Sequence, residues 1–209
     1  RGLGDVYKRQ DYDTHDYAEG TGVARTNTAY VYLPYGYDEH SDRRYNVLYF
    51  VHGHYGTAAT TFEAENGLVR KLLDHMTENG DMAPTIVVSP SYNYGNPTPN
   101  YVDADPYCEA LPQELVNDLI PIVESRYRTY AESTDAAGLE SSREHRAIGG
   151  FSMGAVTTWY ALEHTLDYFK FFMPVSADCW SLGAFAGMNR PTETAEYLAG
   201  IIRQSPHAG

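Results

Sequence analysis

The chain has 209 residues, 43% of them hydrophobic, which suits one domain large enough to bury a continuous core. Its formal net charge of -13, from 28 acidic against 15 basic residues, would repel nucleic acid and anionic membrane surfaces, so a neutral ligand is the easier fit. No run approaches the roughly 20 apolar residues that span a bilayer, and the sequence predicts a soluble chain. The 19 tyrosines, set against lysine only at Lys8, Lys71 and Lys170, suit chemistry in which aromatic faces meet sugar rings. Cys108 and Cys179 allow one disulfide at most, and two thiols alone make no metal centre. Two unpaired buried thiols are the expectation.

Residues 1–10 (RGLGDVYKRQ) show no periodicity and resemble a translated library adapter or assembly scar, which sets them outside the predicted fold and begins the domain at residue 11. Residues 28–33 (TAYVYL) and 46–51 (NVLYFV) read as strands joined by the polar turn 36–44, and their adjacency predicts an antiparallel pair. Apolar residues at 68, 69, 72, 73 and 76 have a helical period, and 84–88 (PTIVV) restores a strand. A second helix is predicted over 111–127, with Pro112 in its first turn and Pro121 kinking it.

Strand 146–151, helix 156–164, strand 169–175 and helix 192–203 complete the alternation. That βαβ pattern predicts an α/β fold with a mostly parallel sheet flanked by helices. Two connections exceed what a βα loop needs, 91–107 and 130–144, and the first, rich in Tyr, Asn, Asp and Pro, is expected to face a substrate.

The chemistry concentrates at Gly150-Phe151-Ser152-Met153-Gly154. A Gly-x-Ser-x-Gly pentapeptide alone is a weak signal. Here it lies between an apolar strand and a helix, the strand-turn-helix setting of a nucleophile elbow. The turn strains Ser152, and glycines on both sides keep Cβ atoms away from the crossing strand and helix. Ser152 Oγ would then project above the sheet, with the Met153 backbone N–H aimed at an oxyanion. A second donor is expected after an earlier strand, where His52-Gly53-His54-Tyr55-Gly56 follows 47–51, and the His54 N–H is the candidate. The side chains of His52 and His54 read as structural groups holding that loop by hydrogen bonds rather than as metal ligands, since no third ligand stands at zinc spacing. No cofactor is implied.

Several spaced segments carry a family resemblance: 45–53 (YNVLYFVHG), 115–125 (LVNDLIPIVES) with Tyr127, 130–134 (YAEST), 148–154 (IGGFSMG) and 172–180 (FMPVSADCW). Together they resemble the feruloyl esterase modules of carbohydrate esterase family one, of the type attached to bacterial xylanases. The resemblance implies an α/β-hydrolase fold and an acyl-enzyme at Ser152. Its implied substrate is a hydroxycinnamate ester of arabinoxylan or a small aromatic ester. It further implies fusion to xylanase or carbohydrate-binding modules and an extracellular or periplasmic location. The loop from Asp178 to Trp180 would border the acyl pocket, with Trp180 as an aromatic wall.

An α/β-hydrolase supplies its triad in the order Ser, acid, His. His164 lies along the helix that starts at the elbow, about 18 Å away at 1.5 Å per residue, too far to be the base. His207 lies in the tail before any further strand, and Asp167 at the far end of the elbow helix. Asp178 comes one strand early and reads as a ligand contact or loop former. The acid and base are therefore expected beyond Gly209, making 11–209 an incomplete α/β-hydrolase domain that lacks its last strands and, by itself, its activity. Cys108 and Cys179 both fall on the carboxyl face of the sheet, where a bond between two loops is the alternative to free thiols. An acetyl or general acyl esterase, an S-formylglutathione hydrolase and a mycolyl-type acyltransferase remain open within the fold. A module of the same fold that presents its Tyr-rich loop to a polysaccharide without catalysis also remains open.

Overall fold

The computed structural model describes residues 7–94 and 96–207, without the side chains of residues 65 and 66. Its centre is a six-stranded sheet in the order β1-β2-β4-β3-β5-β6, built from β1 (Tyr7–His15), β2 (Ala24–Tyr32), β3 (Asn46–Val51), β4 (Thr85–Ser89), β5 (Arg146–Phe151) and β6 (Phe171–Val175). β3 pairs in parallel with β4 and β5, and β5 with β6, whereas β1–β2 and β2–β4 are antiparallel.

The expected antiparallel pairing of 28–33 with 46–51 is therefore corrected. β4 inserts between β2 and β3, so the polar turn crosses over a strand instead of closing a hairpin.

β3 shows why the sheet must be covered on both faces. Val47, Tyr49 and Val51 point into the larger core, while Leu48 and Phe50 pack on a smaller cluster of Tyr32, Phe62 and Val87. Apolar residues at every position of a strand are the mark of a strand buried from two sides. α1 (Thr60–Asn79) supplies Phe62 and Leu73 to the smaller face and ends at Gly80 in the left-handed region. α2 (Asp105–Glu114) and α5 (Met153–His164) pack against each other over the larger core.

The predicted helix 111–127 begins earlier. α2 runs directly through a π-helical turn, Leu115–Leu119, into α3 (Ile120–Arg126), so Pro112 stands inside α2 and Pro106 takes the first-turn position. The π turn, in which Ile120 N donates to Leu115 O, lies immediately before Pro121, which has no N–H to give the helix. α4 (Ala136–Ser141), α6 (Ala186–Asn189) and α7 (Pro191–Gln204) complete the described α-helices. None of the described helices is long and apolar enough to cross a membrane.

Residues 7–10 also need correction. They form the start of β1 and pair with 29–32 of β2; residues 1–6 lie outside the described residues. The β1–β2 hairpin is tied to the distant helices by side chains. Arg126 donates to Gln10 Oε1 (2.6 Å), Tyr12 to Glu114 Oε1 (2.6 Å) and Thr14 to Asp118 Oδ2 (2.7 Å). Buried Glu114 also accepts from Asn27 and Tyr94. Desolvation raises its pKa, and these three donors oppose the rise.

The polar connection 130–144 folds into α4 and serves the core rather than a ligand. Leu139 O and Ser142 Oγ accept from the guanidinium of Arg146, which is almost fully buried against Glu124.

Candidate active site

Ser152 sits where β5 turns into α5, with φ 54° and ψ −117°, a conformation L-residues strongly avoid. Its neighbours fix it there. Ser152 N donates to Val175 O of β6 (3.0 Å), and Ser152 O accepts from Ala155 N (2.8 Å) and Val156 N (3.1 Å) of the first helical turn. The flanking glycines are dictated by space. A Cβ on Gly150 would lie 2.5 Å from the Gly154 carbonyl, and one on Gly154 would overlap the Val51 carbonyl oxygen and lie 2.7 Å from its carbon. Strand, elbow and helix thus touch backbone to backbone.

The half-buried Ser152 lines a cavity of about 950 Å³ together with Met153, His54, Asp178 and Trp180. The structure therefore brings all five sequence-predicted site residues to one place. Neither the Met153 nor the His54 backbone N–H has a hydrogen-bond acceptor among the described residues. Met153 opens α5, whose first N–H groups have no intrahelical partner and carry the positive end of the helix dipole.

The wall is aromatic. Trp180 and Phe185 have ring centroids 4.7 Å apart, and Tyr101 stands edge-on to Phe185 at 6.1 Å and tilted to Trp180 at 6.5 Å. Tyr101 belongs to the 91–107 connection, so that loop does reach the cavity. Phe185, Met188 and Ser176 also line it and were missed in the sequence. Ser176 (φ 64°) and Phe185 (φ 59°) share positive φ with Ser152, a backbone property that no composition signal reveals for non-glycine residues.

Asp178 holds the loop together. Its Oδ1 accepts from Trp180 Nε1 (3.0 Å) and its Oδ2 from the Met188 N–H (2.8 Å), so both carboxylate oxygens are committed to positioning Trp180 and α6.

The two histidines of the β3 loop differ. His52 is buried, with Nδ1 2.7 Å from Gly53 O and Nε2 2.8 Å from Ser91 Oγ, and desolvation lowers its pKa to about 4. His54 is also buried, yet neither ring nitrogen has a partner among the described residues. Its ring packs on Tyr55 (4.5 Å) and edge-on to Tyr101 (6.3 Å), which corrects the expectation that its side chain holds the loop by hydrogen bonds.

Ser152 Oγ has no hydrogen-bonded base among the described residues. His207 instead bonds Asp167 Oδ1 (2.8 Å) on the surface beyond the far end of α5, and His164 is exposed at that end. No group of three or more His, Cys, Asp or Glu among the described residues is placed to hold a metal.

Cys108 and Cys179 are both free and buried, and desolvation raises the Cys108 thiol well above its usual range. Thiol reagent under native conditions is therefore expected to label neither cysteine within minutes, and both once the chain is denatured. Absorbance with an aromatic disulfide reagent measures this; rapid labelling of the native chain would contradict the burial.

Comparison with known proteins places this geometry. The chain is 41% identical over 185 residues to endo-1,4-beta-xylanase Y of Acetivibrio thermocellus, a match covering 88% of this chain and 16% of the relative. A second relative, an endo-1,4-beta-xylanase/feruloyl esterase of Xylanibacter ruminicola, is 30% identical over 145 residues, 68% of this chain and 18% of its own length. Among solved structures, a feruloyl esterase module from Clostridium thermocellum complexed with sinapinate superposes with a TM-score of 0.78 at 37% identity, over 96% of this chain and 62% of that one. The chain thus spans less than a fifth of the curated relatives and under two thirds of the solved module. A family model described as "Putative esterase" matches residues 21–197, and the chain belongs to that esterase family.

Proposed function

We propose that the protein is a serine esterase that releases ferulic or related hydroxycinnamic acids from arabinoxylan through an acyl-enzyme at Ser152. One observation carries this reading. A strained serine stands at an aromatic-walled cavity beside two backbone N–H groups, those of His54 and Met153, that have no acceptor among the described residues. Ser152 Oγ attacks the ester carbonyl carbon while a base takes its proton. The carbonyl oxygen becomes an oxyanion held by the two N–H groups, and the sugar hydroxyl leaves with the proton. Water then cleaves the acyl-enzyme by the same steps, releasing the acid and restoring the serine. Trp180, with Phe185 and Tyr101, forms the face against which the aromatic acyl group lies.

The relatives support the substrate class: one is a xylanase/feruloyl esterase, and a solved feruloyl esterase module is complexed with sinapinate, itself a hydroxycinnamate. The same relatives support a parent protein joined to a xylanase. This chain covers 62% of the solved feruloyl esterase module, and the acid and base of the triad are read as lying in the part of such a module that it does not span.

Turnover of methyl ferulate against p-nitrophenyl acetate by the full-length protein tests the reading. Methyl ferulate is expected to be the better substrate by kcat/KM, and activity confined to the acetyl ester would remove the hydroxycinnamate assignment. The 209-residue chain alone is expected to hydrolyse neither, since a serine hydroxyl without a base is a poor nucleophile.

A further inference from the structure

The buried His52 has no place in the chemistry above, yet it is bonded to the loop that supplies one oxyanion donor. Gly53 O accepts from His52 Nδ1 at 2.7 Å and from Gly56 N at 3.0 Å. A carbonyl only accepts, so Nδ1 carries the ring proton. The C=O of Gly53 and the N–H of His54 belong to one peptide unit, and no cis peptide bond occurs among the described residues. In a trans peptide the two groups point in opposite directions. Clamping the Gly53 oxygen on one side therefore fixes the direction of the His54 N–H on the other.

His52 is itself held from several sides. Its Nε2 lies 2.8 Å from Ser91 Oγ, just past β4, and its ring centroid is 4.8 Å from that of Tyr92. The Ser91 hydroxyl, with its one proton, faces two acceptors, His52 Nε2 and Asn93 Oδ1 (2.7 Å), and serves one at a time, while Asn93 Nδ2 donates to Gly56 O at 3.2 Å and ties this side back to the loop. A Cβ on Gly56 would come within 2.9 to 3.0 Å of three His52 side-chain atoms, so the loop closes this tightly only with glycine there.

We propose that His52, oriented by Ser91 and Asn93, is a positioning residue that aims and polarises the His54 N–H toward the oxyanion. The inference rests on the reading of Ser152 as nucleophile and of the His54 N–H as oxyanion donor. Its physical content is preorganisation: a donor already aimed at the developing charge needs no reorganisation when the charge appears. The carbonyl bond also makes the peptide's N–H a stronger donor through cooperative polarisation.

The test uses the full-length protein and methyl ferulate. His52→Ala is expected to lower kcat about 100-fold, the scale of losing one oxyanion donor, with KM within about twofold. His52→Asn, whose amide N–H can meet the same carbonyl, is expected to recover at least about tenfold of that loss. Ser91→Ala, which frees the ring without removing it, is expected to fall between the wild type and His52→Ala. Melting curves establish that the compared variants are folded. If His52→Ala does not fold, the Asn and Ser91 variants carry the comparison.

Unchanged kcat in His52→Ala, or in both remaining variants if that one does not fold, would overturn the proposal. So would a folded Asn variant no faster than a folded Ala variant. Turnover that survives Ser152→Ala would instead sink the nucleophile reading. An enzyme dependent on Ser152 but indifferent to His52 would lose only the positioning role.

Discussion

Replacing Ser152 with alanine is expected to lower kcat/KM of the full-length protein on methyl ferulate by at least about 10⁴-fold, the scale seen when a triad nucleophile is removed. The melting temperature should hardly move. Alanine keeps the Cβ that makes φ 54° and ψ −117° costly, and Ser152 Oγ makes no hydrogen bond to any described residue whose loss would weaken the fold. Glycine at the same place separates chemistry from strain. It abolishes turnover equally, yet it adopts positive φ without penalty, releasing about 1–3 kcal/mol of strain. Against this stands up to about 1 kcal/mol for the greater freedom of the unfolded chain. The net gain of about 1 kcal/mol should raise the midpoint of a domain this size by a few degrees. Calorimetry on the three proteins decides the matter, and a glycine variant that melts below the alanine variant would show that the elbow stores no strain.

The second large effect lies away from the cavity. Arg146 and Glu124 are 1% and 2% exposed at their side chains and face each other in a two-pronged pair of 2.6 and 3.0 Å. The guanidinium also donates to Tyr168 O (2.6 Å), Leu139 O (2.9 Å) and Ser142 Oγ (2.8 Å). It gathers β5, α3, α4 and the approach to β6 around one charge. Arg146→Met leaves Glu124 buried without its cation, and a loss of about 3–5 kcal/mol is expected. That is a large part of the 5–15 kcal/mol by which a domain is ordinarily stable. Arg146→Met combined with Glu124→Leu should recover a substantial share, because the orphaned charge is then gone. Urea denaturation of the single and double variants measures both, and a single-variant loss under about 1 kcal/mol would show that the pair is solvated or dispensable.

Strand and helix periods in the sequence located β3 and β5 to the residue, and the glycine spacing around Ser152 anticipated a turn that the backbone contacts of Gly150 and Gly154 require. These features were legible because each is a local rule. Strand order was not legible: β4 lies between β2 and β3 for reasons of global packing that neighbouring residues do not encode. The aromatic wall was half legible. Trp180 stood out by type, whereas Phe185 and Tyr101 reach the same cavity through a left-handed residue and a long loop, neither of which has a sequence period. Asp178 read as a ligand contact or loop former, and its two hydrogen bonds tie Trp180 and α6 into the loop. Residues 7–10 looked like an appendage because their alternation is weak, and they join the fold only through partners far along the chain.

Those distant partners have a kinetic meaning. The bonds from Gln10, Tyr12 and Thr14 reach across 116, 102 and 104 residues. Contacts of such long range form slowly, since closing the intervening loop must precede any gain from the bond. On the ribosome, at about 5–20 residues per second, the β1–β2 hairpin emerges several seconds before α2 and α3 exist to receive it. β1 is thus made well before it is secured. During that interval its tyrosines, with the still unpaired outer edge of β2, are where a chaperone or a second nascent chain would meet the protein.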